Sequence, residues 1–275
     1  MTDLKLGRSK HSPWDAKRLS ILDAIPAKLP SPPTRTSRST KLPASKIDIL
    51  GNDQYGDCTV AGAAHTVQHL TYYETDQPDV DPKASDVVST YFNLTGGQDS
   101  GLDLLTVLNY WHKTGIVGHK LEAYAEVPWT DASLSAATTR VLLKTSVWLS
   151  GSAYIAVWLP AAQQSNAFDW RTVGTGPSWR PGTWGGHCVD IVDYAPYGDI
   201  PGWTAKDGAA FEIETWGRRV WASERYLRAF CDETWLPVSR DFTNRKGSNP
   251  QGRTLSKLVQ LAQQIASEAS GGQPT

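Results

Sequence analysis

Residues 51–65 read GNDQYGDCTVAGAAH, and the interpretation of the whole chain starts from this stretch. A turn rich in glycine and aspartate delivers Cys58 to the first turn of an apolar, alanine-rich helix, which we predict over residues 58–74. The start of a helix presents unpaired N–H groups and the positive end of the helix dipole, and both favour a thiolate over a thiol. We therefore expect a lowered pKa at Cys58, which makes it a candidate nucleophile. The alternative is a small buried side chain on a core helix.

A histidine downstream is suited to serve this cysteine. Gly185 and Gly186 precede a strand that opens at His187, and glycine permits a close backbone approach that leaves the imidazole accessible. A cysteine at a helix start that faces a histidine at a strand start is the pair that nucleophilic catalysis across a cleft requires. On the following strand, Glu214 is placed to orient the ring and Trp216 to cover it. The alternative for Glu214 is an exposed strand residue.

Composition and cysteine usage limit the class of protein. The chain has 275 residues and a formal net charge of −1, so it can bury a large core and is unlike a nucleic-acid-binding chain. It contains no apolar run of about 18 residues and no apolar N-terminal segment, so we expect no membrane partner. Cys58, Cys188 and Cys231 cannot form a disulfide framework, and no pair has metal-site spacing. We expect free thiols in a reducing compartment and a cytoplasmic location.

The order of predicted elements indicates an α+β fold. A helical N-terminal lobe is expected at about residues 50–120 and an antiparallel β-rich C-terminal lobe at about 121–238, with the ligand cleft between them. Further helices are predicted over residues 86–95, 102–115 and within 133–150. Strands are predicted at AYIAVWL, HCVDIVDY and AAFEIETW.

Both ends of the chain differ in character from this body. Residues 1–42 form a basic, proline-rich arm in which residues 14–25 could make a short helix; the arm is either propeptide-like, partner-binding or a solvated tail. Residues 239–252 resemble a polar linker. Residues 253–269 are typical of an amphipathic helix, and its apolar stripe must bury against the body, another copy of the chain or a partner.

A second pair of histidines, His65 and His69, lies one turn apart on the predicted first helix. Such a pair can bind zinc, but no acidic general base lies between the two and no third ligand is implied. We therefore expect ordinary helix-surface histidines, with no metal and no other cofactor. Cys188 points to the opposite strand face from His187 and is expected in the core.

Five segments, in the right order, resemble those of papain-like cysteine peptidases. LPASKIDI resembles the mature start of that family, and GDCT resembles its Gly-Ser-Cys-Trp nucleophile turn. SGLDLLTVLNYWHKTGI is similar to the stretch after the family's Gly-Gly substrate strand, and GGHCVDIVDY to its Asn-His-Ala-Val strand. ETWG with WASERYLR resembles its Asn-Ser-Trp-Gly segment. The resemblance spans roughly residues 43–238 and implies a two-lobed papain-like fold, in a divergent bacterial or phage-type member.

The resemblance implies a role for each matching residue. Cys58 is the implied nucleophile, and His187 is the base that takes its proton and later gives one to the leaving amine. Glu214 stands where the family has an asparagine, and a carboxylate there would orient the imidazole as in a Ser-His-Asp triad. Trp216 matches the tryptophan that shields the histidine from water.

The resemblance also implies an oxyanion donor and a substrate surface. Asn52 stands at the position of the family's oxyanion glutamine, six residues before the nucleophile, and Gln54 is a second candidate. An extended peptide is the implied ligand. The residues expected to bind its backbone, together with Gly186, are Gln98, Asp99, Ser100 and Gly101.

The implied activity is hydrolysis of peptide or isopeptide bonds through a Cys58 thiolate and an acyl-enzyme, with a peptide or protein as substrate. Because an amine can intercept the same acyl-enzyme, transfer or deamidation is an alternative within the enzyme class. A different alternative is a non-catalytic papain-like scaffold that binds a peptide or packs in a larger assembly. In either case the C-terminal helix could support self-association or partner docking.

Overall fold

The computed structural model describes residues 4–10, 31–73 and 78–259. Five α-helices and six β-strands lie within them, which confirms the expected α+β class. The helices are α1 (Cys58–Tyr73), α2 (Ala84–Leu94), α3 (Leu104–Lys113), α4 (Ala136–Ser150) and α5 (Glu224–Phe230). The strands are β1 (Leu121–Glu126), β2 (Ala153–Leu159), β3 (Gly185–Ala195), β4 (Ala210–Thr215), β5 (Arg218–Ser223) and β6 (Cys231–Ser239).

All six strands form one antiparallel sheet in the order β1-β6-β2-β3-β4-β5. Successive side chains of a strand point to opposite faces, and both faces of the central strands are covered here. Tyr154 and Cys188 pack with α1, α2 and α3 on one face, whereas Ile155 and Val189 pack with α4 and α5 on the other. Burial on both faces explains why the β2 sequence is a continuous apolar run.

Helix α1 is the buried centre of the helical layer, as its alanine-rich sequence predicts. Every residue from Cys58 to Tyr73 except Tyr72 is buried. Gly62 permits the close approach to the sheet, because a Cβ at this position would lie 3.2 Å from the Tyr154 ring. The helix therefore packs directly on the central strands, and its N-terminus lies at the end of the sheet where β3 begins.

The expectation of helix-surface histidines on α1 is wrong, because the helix is covered on all sides. His65 is buried and its Nε2 lies 2.9 Å from the backbone oxygen of Asp48. His69 is buried between the Tyr73 hydroxyl, 2.8 Å from its Nδ1, and the carboxyl group of Glu214. The two rings thus have separate partners, and no cluster of three potential metal ligands occurs among the described residues.

Part of the basic arm packs on the body. Thr36 N donates to the backbone oxygen of Tyr194 at 2.9 Å, and Ser39 N donates to a carboxylate oxygen of Asp193 at 2.7 Å. The Arg38 guanidinium donates to two carbonyls at the end of α4. The helix predicted over residues 14–25 lies outside the described residues.

The chain after β6 returns to the body. Phe242 is buried against Leu70 and Tyr73, and the Asn249 side chain donates to the backbone oxygen of Leu149 at 3.0 Å. Residues 255–259 are helical, and their apolar side chains pack on a cluster of residues from β1, α4 and β6. The predicted stripe thus contacts the body as far as residue 259; self-association through this helix stays a prediction. Across the described ranges, none of the helices has the length and apolar character needed to cross a membrane.

Candidate active site

Cys58 and His187 line the same small cavity at the end of the sheet where β3 begins. Cys58 is the first residue of α1, and the first turn closes by hydrogen bonds from Val60 N and Ala61 N to the backbone oxygen of Asp57. His187 is the third residue of β3 and pairs with Val157 of β2. The cavity has a volume of about 10 Å³, which is room for about one water molecule.

The His187 ring is held from two directions by the β4–β5 hairpin. Its Nε2 lies 2.9 Å from the hydroxyl oxygen of Thr215, and its plane stacks on Trp216 with centroids 4.1 Å apart. Trp216 and Gly217 form the two-residue turn, with φ of 45° and 72°, as a type I′ hairpin requires. Among the described residues His187 Nδ1 has no hydrogen-bond partner. Nδ1 is therefore the ring nitrogen available to accept a thiol proton.

The prediction that Glu214 orients His187 is wrong, and the strand register gives the reason. Glu214 is paired with Asp190 across β3 and β4, so the two side chains share one sheet face. That face meets α1, where the Glu214 carboxyl group contacts His69. Because strand side chains alternate, the next residue, Thr215, lies on the His187 face and takes the orienting position.

Burial keeps the Glu214 and His69 pair neutral. It raises the pKa of Glu214 well above its usual value and lowers the pKa of His69 well below. The protonated carboxyl then donates to His69 Nε2, and His69 Nδ1 donates to the Tyr73 hydroxyl. This network joins α1 to β4 and is separate from the His187 ring.

Of the two oxyanion candidates, the structure brings only Asn52 to the cavity. Asn52 is buried, lines the cavity with Cys58, and donates from Nδ2 to the backbone oxygen of Tyr55 at 3.1 Å. Gln54 is exposed and does not line the cavity, so its prediction as an oxyanion donor is wrong. The reason is the tight turn that starts at Gly51, whose backbone oxygen accepts from Gln54 N at 2.9 Å and turns this residue outward.

Residues 4–10 of the same chain lie across the cleft. Their backbone groups form hydrogen bonds with residues before α1 and α3 on one side of the cleft and with the start of β3 on the other. The Trp216 indole donates to the Lys5 carbonyl at 3.4 Å. The segment therefore occupies the groove in which an extended peptide was expected. Its backbone hydrogen bonds are Lys5 N to Asn52 O (3.1 Å), Leu102 N to Gly7 O (2.8 Å), Ser9 N to Leu102 O (2.9 Å) and Arg8 N to Gly186 O (3.1 Å).

Gly7 is the point at which this segment covers the nucleophile. The backbone of Gly7 lies close enough to the Cys58 sulfur to affect its pKa, and only 1% of Cys58 is exposed. A Cβ on Gly7 would lie 1.6 Å from the backbone oxygen of Gly56, and a Cβ on Gly101 would lie 2.2 Å from the Gly7 oxygen. Only glycine fits at this contact.

The expected substrate surface is partly used by this segment. Asp99, Ser100 and Gly101 line a pocket of about 230 Å³ together with residues 5–8, whereas Gln98 lies outside it. The role of Gln98 in binding substrate stays a prediction. Asp99 supports the pocket wall by accepting from Gly56 N at 2.9 Å.

Burial controls the protonation of the candidate pair. It raises the pKa of the Cys58 thiol to about 12, against the opposing effect of hydrogen bonds from the backbone of Gly7 and Cys188. It lowers the pKa of His187 to about 3. The lowered Cys58 pKa expected from the helix start is thus wrong for this closed arrangement, in which residues 4–10 help to exclude water from the sulfur. A neutral thiol beside a neutral imidazole results.

The arrangement of helices and sheet has counterparts among solved structures. Xylellain, a cysteine protease from Xylella fastidiosa, superposes with a TM-score of 0.58 over 86% of this chain and 96% of that chain, at 14% identity. The chain has a papain-like fold. Procathepsin B S9 from Trypanosoma congolense is also similar, with a TM-score of 0.51 over 85% of this chain and 86% of that one, at 11% identity. No protein-family model and no curated protein sequence matches the chain.

Three features of this papain-like fold were not predicted from the sequence. Thr215 could have been found only by knowing the register of β3 against β4. Leu102 binds the covering segment through its backbone N–H and C=O, which leave no mark on the side-chain pattern. Residues 4–10 carry no periodicity, and their place in the cleft depends on contacts with segments remote in sequence.

Proposed function

We propose that this chain is a thiol peptidase of the papain-like fold, with Cys58 as nucleophile and His187 as general base. The observation that carries the proposal is that a helix-start cysteine and a strand-start histidine, far apart in the sequence, line one cavity, across which an extended segment of the chain lies. Thr215 orients the histidine, and Trp216 covers it. An activated nucleophile requires such a base close by, and His187 Nδ1, which has no other hydrogen-bond partner among the described residues, is free to take this role.

The proposed reaction uses the groups of the cavity in turn. His187 Nδ1 accepts the thiol proton as the sulfur attacks the peptide carbonyl carbon, and a C–S bond forms. The Cys58 backbone N–H and the Asn52 amide stabilise the resulting oxyanion. The C–N bond then breaks, and the imidazolium gives its proton to the leaving amine. Water hydrolyses the thioester in the second half, with the imidazole acting again as base.

We propose further that residues 4–10 hold the enzyme latent. A substrate carbonyl cannot reach the sulfur while the Gly7 backbone lies on it, and burial keeps the thiol protonated. Displacement of the segment would admit both water and substrate. Beside Trp216 the groove continues into a pocket of about 610 Å³, lined among others by Leu4, Phe168 and Trp184, which would take the part of a substrate beyond the cleaved bond.

The test uses the full chain with Gly7→Val, because a valine side chain cannot share the space of the Gly56 backbone and should lift the segment. A peptidyl epoxide should then label the protein once, at Cys58, as located by peptide mass spectrometry. Cys188 and Cys231 are buried and serve as internal controls that should stay unlabelled. In the same background, Cys58→Ala and His187→Ala should each lower peptide hydrolysis by at least about 10³-fold.

Two experimental results would contradict the proposed peptide hydrolysis, and each would support a different function. If Cys58 stays unlabelled in the native Gly7→Val protein but reacts after unfolding, the chain is a peptide-binding scaffold without catalysis. If Cys58 forms an acyl-enzyme whose products carry an added amine in place of water, the reaction is acyl transfer. Mass spectrometry of the products with and without a primary amine distinguishes the two chemistries.

A further inference from the structure

Two of the three cysteines of the chain lie at the same cavity. Cys58 at the start of α1 and Cys188 in β3 both line the small cavity of the candidate active site, and both belong to the buried cluster between α1 and the sheet. Cys231 belongs to the cluster on the opposite face of the sheet. The candidate nucleophile therefore has a second thiol beside it as well as the base His187.

The sulfur of Cys188 lies against the first two turns of α1. A Cβ on Gly62, one turn after Cys58, would lie 3.4 Å from Cys188 Sγ. The Tyr154 hydroxyl lies close enough to Cys188 to affect its pKa, and it donates to the backbone oxygen of Thr59 at 2.6 Å. Residues four apart are neighbours on one face of a helix. The Cys188 sulfur thus lies beside the helix face that carries Cys58.

The two thiols also influence each other electrostatically. Burial raises the pKa of Cys188 well above its usual value, and the Cys58 sulfur adds to this effect, because two neighbouring thiolates would repel each other. The backbone N–H of Cys188 in turn lies close enough to the Cys58 sulfur to lower the pKa of that thiol. Both effects agree with the placement of the two sulfurs at one cavity.

Packing alone does not explain a cysteine at position 188. The Asn-His-Ala-Val strand that GGHCVDIVDY resembles has alanine directly after the histidine, so a methyl group is sufficient at this point of that fold. The Tyr154 hydroxyl has its own acceptor in the Thr59 carbonyl and does not depend on the thiol. What a cysteine adds at this position is a nucleophilic sulfur.

We propose that Cys58 and Cys188 form a reversible disulfide when a hydroperoxide enters the cleft. In the first step the Cys58 thiol gives its proton to His187 Nδ1 and the sulfur attacks a peroxide oxygen. An S–O bond forms, the O–O bond breaks, and the departing hydroxide takes the imidazolium proton and leaves as water. A sulfenic acid on Cys58 results.

The second step uses the neighbouring thiol. The Cys188 sulfur attacks the sulfur of the sulfenic acid, an S–S bond forms, and the S–O bond breaks. The departing hydroxide takes the Cys188 proton and leaves as a second water. Two thiols are oxidised by two electrons, and one molecule of hydrogen peroxide is reduced to two waters. The inference goes beyond the proposed peptidase function, because formation of the disulfide does not require peptide turnover.

The disulfide would protect the nucleophile from irreversible damage. A dithiol can reduce a disulfide, whereas a cysteine carried on to the sulfinic acid is not recovered in this way. While residues 4–10 cover the Cys58 sulfur, burial keeps the thiol protonated and therefore slow to react with peroxide. Displacement of this segment should therefore speed formation of the disulfide.

The experiment treats wild type and Gly7→Val, both as full chains, with hydrogen peroxide and counts free thiols after unfolding. The count should fall from three to one, faster in Gly7→Val, and dithiothreitol should restore it. Peptide mapping without reduction should find Cys58 joined to Cys188. Cys231→Ala is the matched control: it removes the buried thiol on the other face of the sheet and should leave the link unchanged.

Cys188→Ala tests the role of the second thiol in the Gly7→Val background. Peroxide should then carry Cys58 on to the sulfinic acid, seen as a gain of two oxygens on the Cys58 peptide. Dithiothreitol should restore most of the peptide hydrolysis of oxidised Gly7→Val protein, but less than about one tenth of it when Cys188→Ala is added.

The proposal is overturned if the link between Cys58 and Cys188 is absent from both wild type and Gly7→Val after peroxide treatment. A link that joins Cys58 to Cys231 instead also overturns it. If the link forms in a protein that hydrolyses no peptide before oxidation, the disulfide is supported and the peptidase function is contradicted. The two failures are therefore distinguishable.

Discussion

The imidazole of His187 lies flat against the indole of Trp216, with the ring centroids 4.1 Å apart and the planes at 12°. The indole is itself 5% exposed, so it separates the imidazole from water. The strained positive φ of Trp216 is set by the hairpin turn that joins β4 to β5. The hairpin thus positions both contacts of the ring, since Thr215 is the last residue of β4.

Trp216→Ala should raise the pKa of His187 from about 3 toward the usual value near 6.5, because admitting water removes the burial that disfavours the imidazolium. An NMR titration of the His187 ring in Trp216→Ala protein checks the shift. Trp203→Ala removes an indole from the remote Arg171 contact and should leave this titration unchanged. An unchanged His187 titration in Trp216→Ala would show that the indole does not control the ring.

Thr215→Val should lower kcat about 10-fold with little change in KM, because the hydroxyl that holds His187 Nε2 is lost while the shape is kept. Thr215→Ser retains the hydroxyl and should restore most of the rate. Glu214→Gln is the matched control on the same strand and should not shift the pH–rate profile. Peptide hydrolysis across pH in the Gly7→Val background measures all three. A shifted profile in Glu214→Gln with a normal one in Thr215→Val would reverse the assignment.

Gly7→Val should move the pH midpoint of Cys58 alkylation down from about 12, because the thiolate is disfavoured by burial and the covering segment is lifted. At pH 7.5 the thiolate fraction, and with it the alkylation rate, should rise at least about 10-fold. Iodoacetamide kinetics with peptide mapping provide the measurement. Lys10→Val, on the exposed end of the segment, is the control. Equal midpoints in wild type and Gly7→Val would mean that Gly7 does not set the thiol pKa.

His119 should make the stability depend on pH through its hydrogen bond to Asp241, 2.8 Å from Nδ1. This bond raises the pKa of His119 above its usual 6.5. A raised folded pKa gives stability that is fully present below pH 6.5 and is lost as the pH rises through the folded pKa. At pH 6, wild type should therefore melt about 2–4 °C above His119→Gln, and the gap should shrink by pH 8.5.

Asp241→Asn removes the partner carboxylate of His119. The melting temperature of this variant should therefore lose the same pH-dependent advantage over His119→Gln that wild type has. Scanning calorimetry of the three proteins at both pH values gives the comparison. A gap between wild type and His119→Gln that stays constant or widens with pH would contradict the raised pKa.

Several elements could be predicted because their sequences carry a local period or a chemical boundary. The alanine-rich run after Cys58 predicts α1, and the apolar run AYIAVWL predicts β2, since side-chain burial follows directly from these patterns. The glycines before His187 predict a strand start, and β3 begins at Gly185; the accessible ring expected there is wrong, because His187 is only 1% exposed. Asn52 followed from the resemblance alone, and the structure places it at the same cavity.

The sequence by itself determined the α+β class, the main elements, and the two residues at the helix and strand starts that share the cavity. Only the tertiary structure decided that Thr215 and not Glu214 reaches His187, because the choice depends on a strand register that pairs Glu214 with Asp190. It also decided the protonation of Cys58, which follows from what covers the sulfur and not from its place on the helix. Local pattern fixes which face a side chain can take, whereas the identity of its partner depends on contacts between segments that are distant along the chain.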